Sequence, residues 1–387
     1  MKIAIINCFP NLEHSRTEPI RKILKNMGHS VVMITSNFDH FNKKKLILSD
    51  EKVIQIDVPS YKKNISISRI ISHFIFVRKT ISLLYKLEPD IIYVKIPPNL
   101  LVKSLYLFRK KKEVKIILDI YDLWPESFPK LKRLANPFFS IWKNLRDKYL
   151  FVADKIITEC ELYKEKLCLN NADVIYLSQE DYQNFEMKAY TDNQHLDICY
   201  LGSISHLLDI PLTISFLQKL NELKKIHLHI IGDGELKDTF LKQLKTNDIS
   251  YSYYGIIFDN QKKLELMSRC QFGLNIMINS AIVGLSNKSV EYFKTGLILI
   301  NSIKYDTYTI LNNFNAGFNI NIKNVANVAK EISSLTTEEI NTLKNNSRNV
   351  YLSQFSVKVF EERIIAVFNS LNNKSINNLD LKNRKGK

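Results

Sequence analysis

Short, almost wholly apolar runs recur along this chain, each followed by a longer stretch in which apolar residues return every three or four positions. IAIIN, Ile3 to Asn7, has the length and content of a buried strand, and the residues from Glu18 to Met27 have the helical period, stopped by Gly28. VVMIT (Val31 to Thr35), DIIYVKI (Asp90 to Ile96), VKIILDI (Val114 to Ile120) and KIITEC (Lys155 to Cys160) read as further strands. Amphipathic stretches at Ile65–Leu87, Leu100–Lys112 and Phe138–Phe151 read as the helices between them. Strands apolar on both faces, alternating with helices, predict a parallel sheet covered on both sides.

The alternation breaks into polar, mixed sequence at about Asn170 and resumes after Gln194. The second series runs DICYLGS, a helix at Pro211–Leu223, HLHIIGDG, a helix at Glu235–Thr246, ISYSYYG, a helix at Asn260–Cys270, FGLNIMI, the short helix SNKSVEYFKTG and LILIN. Two consecutive β/α halves predict two doubly wound domains, at 1–170 and 195–354, joined by a linker at 171–194. An amphipathic terminal helix at 355–372 is expected to cross back to the first domain, followed by a polar, basic, disordered tail at 373–387.

Composition changes this picture in one respect. The chain of 387 residues carries 55 Lys and Arg against 39 Asp and Glu, a formal charge of +16, which suits phosphorylated ligands, anionic lipid or nucleic acid. No nucleic-acid-binding module or aromatic–basic RNA motif is present, so nucleic acid is not expected as a partner. The five cysteines, at positions 8, 160, 168, 199 and 270, form no CxxC pair and read as reduced thiols rather than a disulfide framework or zinc site. MKIAIINCFP is too short in its apolar run for a signal peptide, and no uninterrupted apolar segment reaches the roughly 18 residues of a membrane span. A cytoplasmic location is expected.

Ligands of open α/β sheets bind at the carboxyl ends of strands, beside helix N-termini. Three such places carry chemistry. IIGDGELKD follows a strand and opens a helix, with Gly232 and Gly234 allowing close approach; a tight turn needing glycines for its own sake explains it equally, and Lys237 breaks the GxGxxG fingerprint. DIYDLWPESFP places Asp122, Trp124 and Glu126 at one strand end, an aromatic plate flanked by carboxylates that could grip a sugar. The alternative there is a capped helix start, with Pro125 in the first turn and Trp124 packed. In SNKSVEYFKTG, Ser286 or Asn287 caps a helix that Gly296 stops, and its first turn holds Lys288 with no acid before Glu291. A cation at the positive end of a helix is opposed by the dipole unless something anionic binds there.

Together DLWPES, IIGDG and GLSNKSVEYFKTG resemble the family 4 retaining glycosyltransferases of bacterial surface polysaccharide biosynthesis, in the branch with a DLWPES motif, over most of the chain. The resemblance implies an α/β fold of the GT-B type, two Rossmann-like doubly wound domains facing across a cleft. Lys288 and the helix N-terminus would face the donor diphosphate and Glu291 the ribose, with Gly284, Ser286, Asn287 and Ser289 beside them, Gly232 nearby, and Gly255 and Ile257 framing the base. Asp122, with Lys288 and Glu291, would carry the transfer, and Tyr121, Trp124 and Glu126 would line the acceptor side. The donor would be a nucleotide sugar and the acceptor a lipid-linked saccharide, with retention and without cofactor or metal. The chain departs from the pattern at Val283, where many relatives have a glutamate, at Tyr121, where many have histidine, in YLGSISHLLD, which lacks a basic residue apart from nearby His206, and in NCFPNLEHSR, which lacks paired glycines.

Basic residues among apolar ones at Arg69, Arg78, Lys79 and Lys86, and again at Lys103 and 109–112, predict docking on an anionic membrane surface, as a peripheral protein of the inner face. A core helix with solvated lysines is the alternative. Two rival functions stand beside this one: a nucleotide-sugar epimerase of the same architecture, and, from a different class, a catalytically weak assembly scaffold.

Overall fold

The computed structural model of the chain describes residues 1–11, 15–63, 66–127, 137–183, 185–191 and 195–372; the expected tail at 373–387 lies outside them. The chain divides into two compact units, Met1–Leu177 with the residues from Phe360 onward, and Ser178–Val359.

In the first unit the strands β1 (Lys2–Asn7), β2 (Ser30–Ser36), β5 (Val53–Ile56), β6 (Ile91–Ile96), β7 (Lys115–Ile120), β8 (Lys155–Thr158) and β9 (Asp173–Val174) form one parallel sheet in the order β5-β2-β1-β6-β7-β8-β9. A two-residue hairpin, β3 (Phe38–Asp39) with β4 (Lys44–Lys45), stands apart from it. Alternate strand residues serve opposite faces. Ile6, Ile92, Val94, Ile116 and Leu118 pack with α2 (Ile67–Leu87) and α3 (Leu100–Arg109) through Phe76, Leu84, Leu101 and Leu105. Ile3, Ile5, Tyr93 and Ile117 pack instead with α1 (Thr17–Asn26) and with α13 (Val357–Asn372) through Phe360, Ile364, Val367 and Phe368. Each such side chain, fully buried, contributes about 1.5–3 kcal/mol, which ties the terminal helix to this sheet. The helices α4 (Pro137–Asp147) and α5 (Glu161–Lys166) complete the unit.

The second unit repeats the design. Its strands β10 (His195–Leu201), β11 (Lys225–Ile231), β12 (Tyr251–Gly255), β13 (Phe272–Asn275), β14 (Ile298–Asn301) and β15 (Gly317–Asn319) run parallel in the order β12-β11-β10-β13-β14-β15. Its helices are α6 (Ile210–Leu223), α7 (Lys237–Thr246), α8 (Asn260–Met267), α9 (Asn287–Lys294), α10 (Asp306–Phe314), α11 (Val325–Ser333) and α12 (Thr337–Val350). In both sheets the second strand pairs on one side of the first and the fourth on the other. That is the Rossmann winding, and it puts a topological switch point at β1/β6 and at β10/β13.

The strands expected at 3–7, 31–35, 90–96 and 114–120 are present within a residue or two of their boundaries. Val53–Ile56, Asp173–Val174 and Gly317–Asn319, short strands at or near sheet edges, were not legible from the apolar pattern, nor were α10, α11 and α12.

Candidate active site

In the second unit the expected donor-side residues gather at the carboxyl edge of one sheet. Ser286 caps α9, its hydroxyl accepting from the Ser289 amide at 3.2 Å, and Gly296 stops the helix at φ +71°. Ser286 also donates to Asn275 Oδ1 (2.9 Å), and Asn275 Nδ2 donates to Asn301 Oδ1 (2.9 Å). Asn301 Nδ2 in turn donates to Asn319 Oδ1 (2.7 Å). Three neighbouring strands thus end in asparagines that form a hydrogen-bonded ladder fixing the start of α9. Asn275 and Asn301 are fully buried, and satisfied polar groups at such depth specify one geometry. The repeated terminal asparagine of FGLN, ILIN and GFN was the signal for it in the sequence.

Lys288 lies in the second turn-opening position of α9, with Nζ 5.1 Å from the centre of the Tyr200 ring on β10, at the β10/β13 switch point. Among the described residues no carboxylate pairs with it, and burial pushes its ammonium down to about 8. Glu291, three residues on, is the opposite case. Its carboxylate accepts from Tyr182 Oη at 2.9 Å and lies 3.3 Å from Lys294 Nζ and 3.7 Å from Lys263 Nζ. Lys263 belongs to α8, which follows the loop of Gly255 and half-buried Ile257, so this ion pair ties the two segments together. Tyr182 lies in the polar stretch that reads as a linker, where nothing marked it.

Several of the other expected contacts are met by the chain itself. The Gly232 amide donates to the Gly255 carbonyl at 2.8 Å, and a Cβ on Gly232 would stand 1.9 Å from the Gly202 carbonyl oxygen. The glycine is there for chain-to-chain approach at φ +149°, so the turn reading is the one its surroundings satisfy. Ser289 is buried against Ser286, the carbonyl of Gly284 accepts from the amide and hydroxyl of Thr307, and Asn287 is exposed.

In the first unit the DLWPES loop differs from the expected sugar grip. Trp124 is 9% exposed, with the Arg69 guanidinium 4.0 Å from its ring centre and His73 stacked on it at 6.4 Å, so it offers no open plate. Glu126 pairs with fully buried Arg146 at 2.7 Å and with Lys143 at 3.5 Å, and Arg146 also donates to the Trp124 carbonyl. The physical reason is charge balance: a buried guanidinium is held here by this carboxylate and by Asp147 at 2.7 Å. Asp122 remains half-buried, accepts from Ser127 Oγ at 3.1 Å, and is raised by burial despite side-chain hydrogen bonds from Ser127 and Trp124. Tyr121 stands beside it, its ring 3.7 Å from Lys95 Nζ. Among the described residues no group of three or more His, Cys, Asp or Glu side chains could hold a metal ion.

No family model and no curated protein matches this sequence. The fold has many solved counterparts. Sucrose-phosphate synthase from Thermosynechococcus elongatus superposes with a TM-score of 0.69 at 12% identity, over 96% of this chain and 99% of that one. The lipopolysaccharide outer core galactosyltransferase WaaB gives 0.68 at 16% identity, over 96% and 100%. Anabaena HepE in complex with UDP and glucose gives 0.63 at 13% identity, over 96% and 100%. The chain therefore has the α/β architecture of the GT-B glycosyltransferases, two Rossmann-like units.

Proposed function

We propose that this chain is a glycosyltransferase that moves a sugar from a nucleoside-diphosphate sugar to a lipid-linked saccharide, with retention, in bacterial surface polysaccharide synthesis. The observation that carries the reading is Lys288: a half-buried ammonium that, among the described residues, has no carboxylate partner, in the first turn of a helix whose start an asparagine ladder holds at a switch point. Helix amides and a lysine at such a point stabilise the charge that develops on a leaving diphosphate. Glu291, held by Tyr182 and two lysines, keeps lone pairs for ribose hydroxyls. Asp122 is the reading's acceptor-side carboxylate. The GT-B fold supports the substrate class, and HepE, whose structure contains UDP and glucose, is one of its counterparts. The family 4 assignment rests on the sequence motifs.

A peripheral membrane position belongs to the same reading. Among the described residues no helix is long and apolar enough to cross a membrane. On α2, Ile67, Ile70, Ile71 and Phe74 are exposed at helical spacing, with exposed Arg78 and Lys79 further along. Arg69 is excluded from that surface, being buried over Trp124.

The test is incubation with uridine, guanosine and thymidine diphosphate sugars, with and without a lipid-diphosphate-linked saccharide. Sugar transfer whose product keeps the donor's anomeric configuration is expected. A changed sugar released without acceptor would establish an epimerase, and absence of donor binding would remove the reading.

A further inference from the structure

The first sheet's switch point holds a second charged site. Arg16, 2% exposed, lies in the segment that follows β1, and both neighbours lock it there: Asn7 Nδ2 donates to Ser15 Oγ (3.0 Å) and Thr17 Oγ1 (3.1 Å), and the two hydroxyls bond at 2.8 Å. Lys95, 6% exposed, comes from β6, and fully buried Asp119 from β7. Tyr93 Oη donates to Asp119 Oδ2 at 2.5 Å, and Arg16 Nε stands 3.3 Å from that same oxygen. Tyr93 and Asp119 Oδ2 are the groups that answer the Arg16 guanidinium; among the described residues no further acceptor stands within hydrogen-bond distance of it, and Asp119 Oδ1 makes no hydrogen bond. The planar faces near Arg16 are Phe360 and Tyr121, with ring centres 5.6 and 6.0 Å from Cζ. Lys95 Nζ faces the Tyr121 ring and, among the described residues, pairs with no carboxylate. Tyr121, Asp122 and Glu159 are partly exposed around this buried floor.

A buried guanidinium with fewer acceptors than its five N–H groups is costly, and its fork matches two oxygens on one atom. Within ion-pair distance Arg16 meets Asp119 alone and, among the described residues, Lys95 meets no carboxylate; Asp122 and Glu159 act on Lys95 only from farther off. Asp122 faces Arg69 electrostatically, and burial raises the Glu159 carboxyl to about 8, which leaves it a neutral donor at pH 7. The floor thus lacks an acceptor pair bearing negative charge and, at Asp119 Oδ1, one donor. We infer that Arg16 and Lys95 bind an oxyanion carried by a hydroxylated molecule, the carboxylate or phosphate of an acidic sugar, at the β1/β6 switch point. Only the further step, that this molecule is the sugar acceptor, rests on the transferase reading.

Titration calorimetry on the full chain at pH 7 tests it with three probes: inorganic phosphate, methyl glucuronide and methyl glucoside. Wild type is expected to bind phosphate or the glucuronide at least tenfold more tightly than the neutral glucoside, a phosphate-only result assigning a phosphorylated ligand and a glucuronide result a uronic acid. Arg16→Gln and Lys95→Met should each lose at least tenfold, whereas Lys288→Met, altered at the donor site, should keep the binding. If Arg16→Gln fails to fold, Lys95→Met decides. Equal affinity for all three probes, unchanged binding in the Arg16 and Lys95 variants, or loss only in Lys288→Met overturns the site. UDP is titrated separately: its failure to bind wild type counts against the donor reading while oxyanion binding at Arg16 stands.

Discussion

Replacing Lys288 by methionine keeps the length of the side chain and removes its charge, so it isolates what the ammonium does. In the empty protein that charge is held down by burial, from 10.5 to about 8. At about 1.36 kcal/mol per unit this is roughly 3 kcal/mol, and discounting for a part-exposed side chain leaves on the order of 1–3 kcal/mol of destabilisation. The sign follows from linkage. The unfolded lysine holds its proton to a higher pH than the folded one, so wild-type stability rises between about 8 and 10.5 and the penalty is complete below 8. Lys288→Met should therefore unfold at a higher temperature than wild type at pH 7, and the gap should close toward pH 10.5. UDP reverses the ranking. A diphosphate restores the proton, so wild-type binding at pH 8 should take up about half a proton, read from the dependence of calorimetric heat on buffer ionisation. Loss of a charge-assisted bond of about 1.5–3 kcal/mol should weaken UDP in the variant roughly 10- to 150-fold. A methionine variant that is no more stable than wild type when empty and binds UDP with the same affinity and proton uptake would refute the reasoning.

Glu126→Gln removes one of the two carboxylates on buried Arg146, Asp147 remaining at 2.7 Å, and should cost about 1–3 kcal/mol, seen as a lower Tm; full stability with lost transfer would return Glu126 to the acceptor side. Asn275→Leu cuts the ladder between Ser286 and Asn301 and should cost about 1–3 kcal/mol while weakening UDP through a loosened α9; unchanged UDP affinity would separate the ladder from the site. The folded Glu159 carboxyl keeps its proton to about 8, above its unfolded value of 4.5, so it favours the fold at low pH and that contribution fades as pH rises to 8; in Glu159→Gln the decline across this window should flatten, and an unaltered pH profile would show the carboxyl titrates normally. Vesicles containing acidic lipid should bind the protein at low salt and release it as salt rises, and the fourfold variant with Gln at 78, 79, 110 and 111 should not bind them; equal binding to neutral vesicles would remove the electrostatic docking.

The periodicity of apolar residues by itself determined the alternation of buried strands and helices, because strands sealed on both faces must be apolar throughout. Local sequence narrowed the cap of α9 to Ser286 or Asn287 and placed the stop at Gly296 and the cation in the first turn, since capping and dipole chemistry act within a few consecutive residues; the structure chose Ser286. Tertiary structure alone decided which polar residues answer one another. Asn275, Asn301 and Asn319 lie far apart in the chain and meet only because parallel strands end in register. The same holds for Tyr182 against Glu291 and for Arg146 against Glu126, where a distant partner turned an apparent ligand group into an ion-paired one. Trp124 shows the limit from the apolar side: its place in a loop suggested an open ring, and Arg69 and His73, brought from α2, cover it. Arg16 and Lys95 are separated by almost eighty residues, and only the winding of the first sheet, which sets β1 beside β6, puts two buried cations at one switch point.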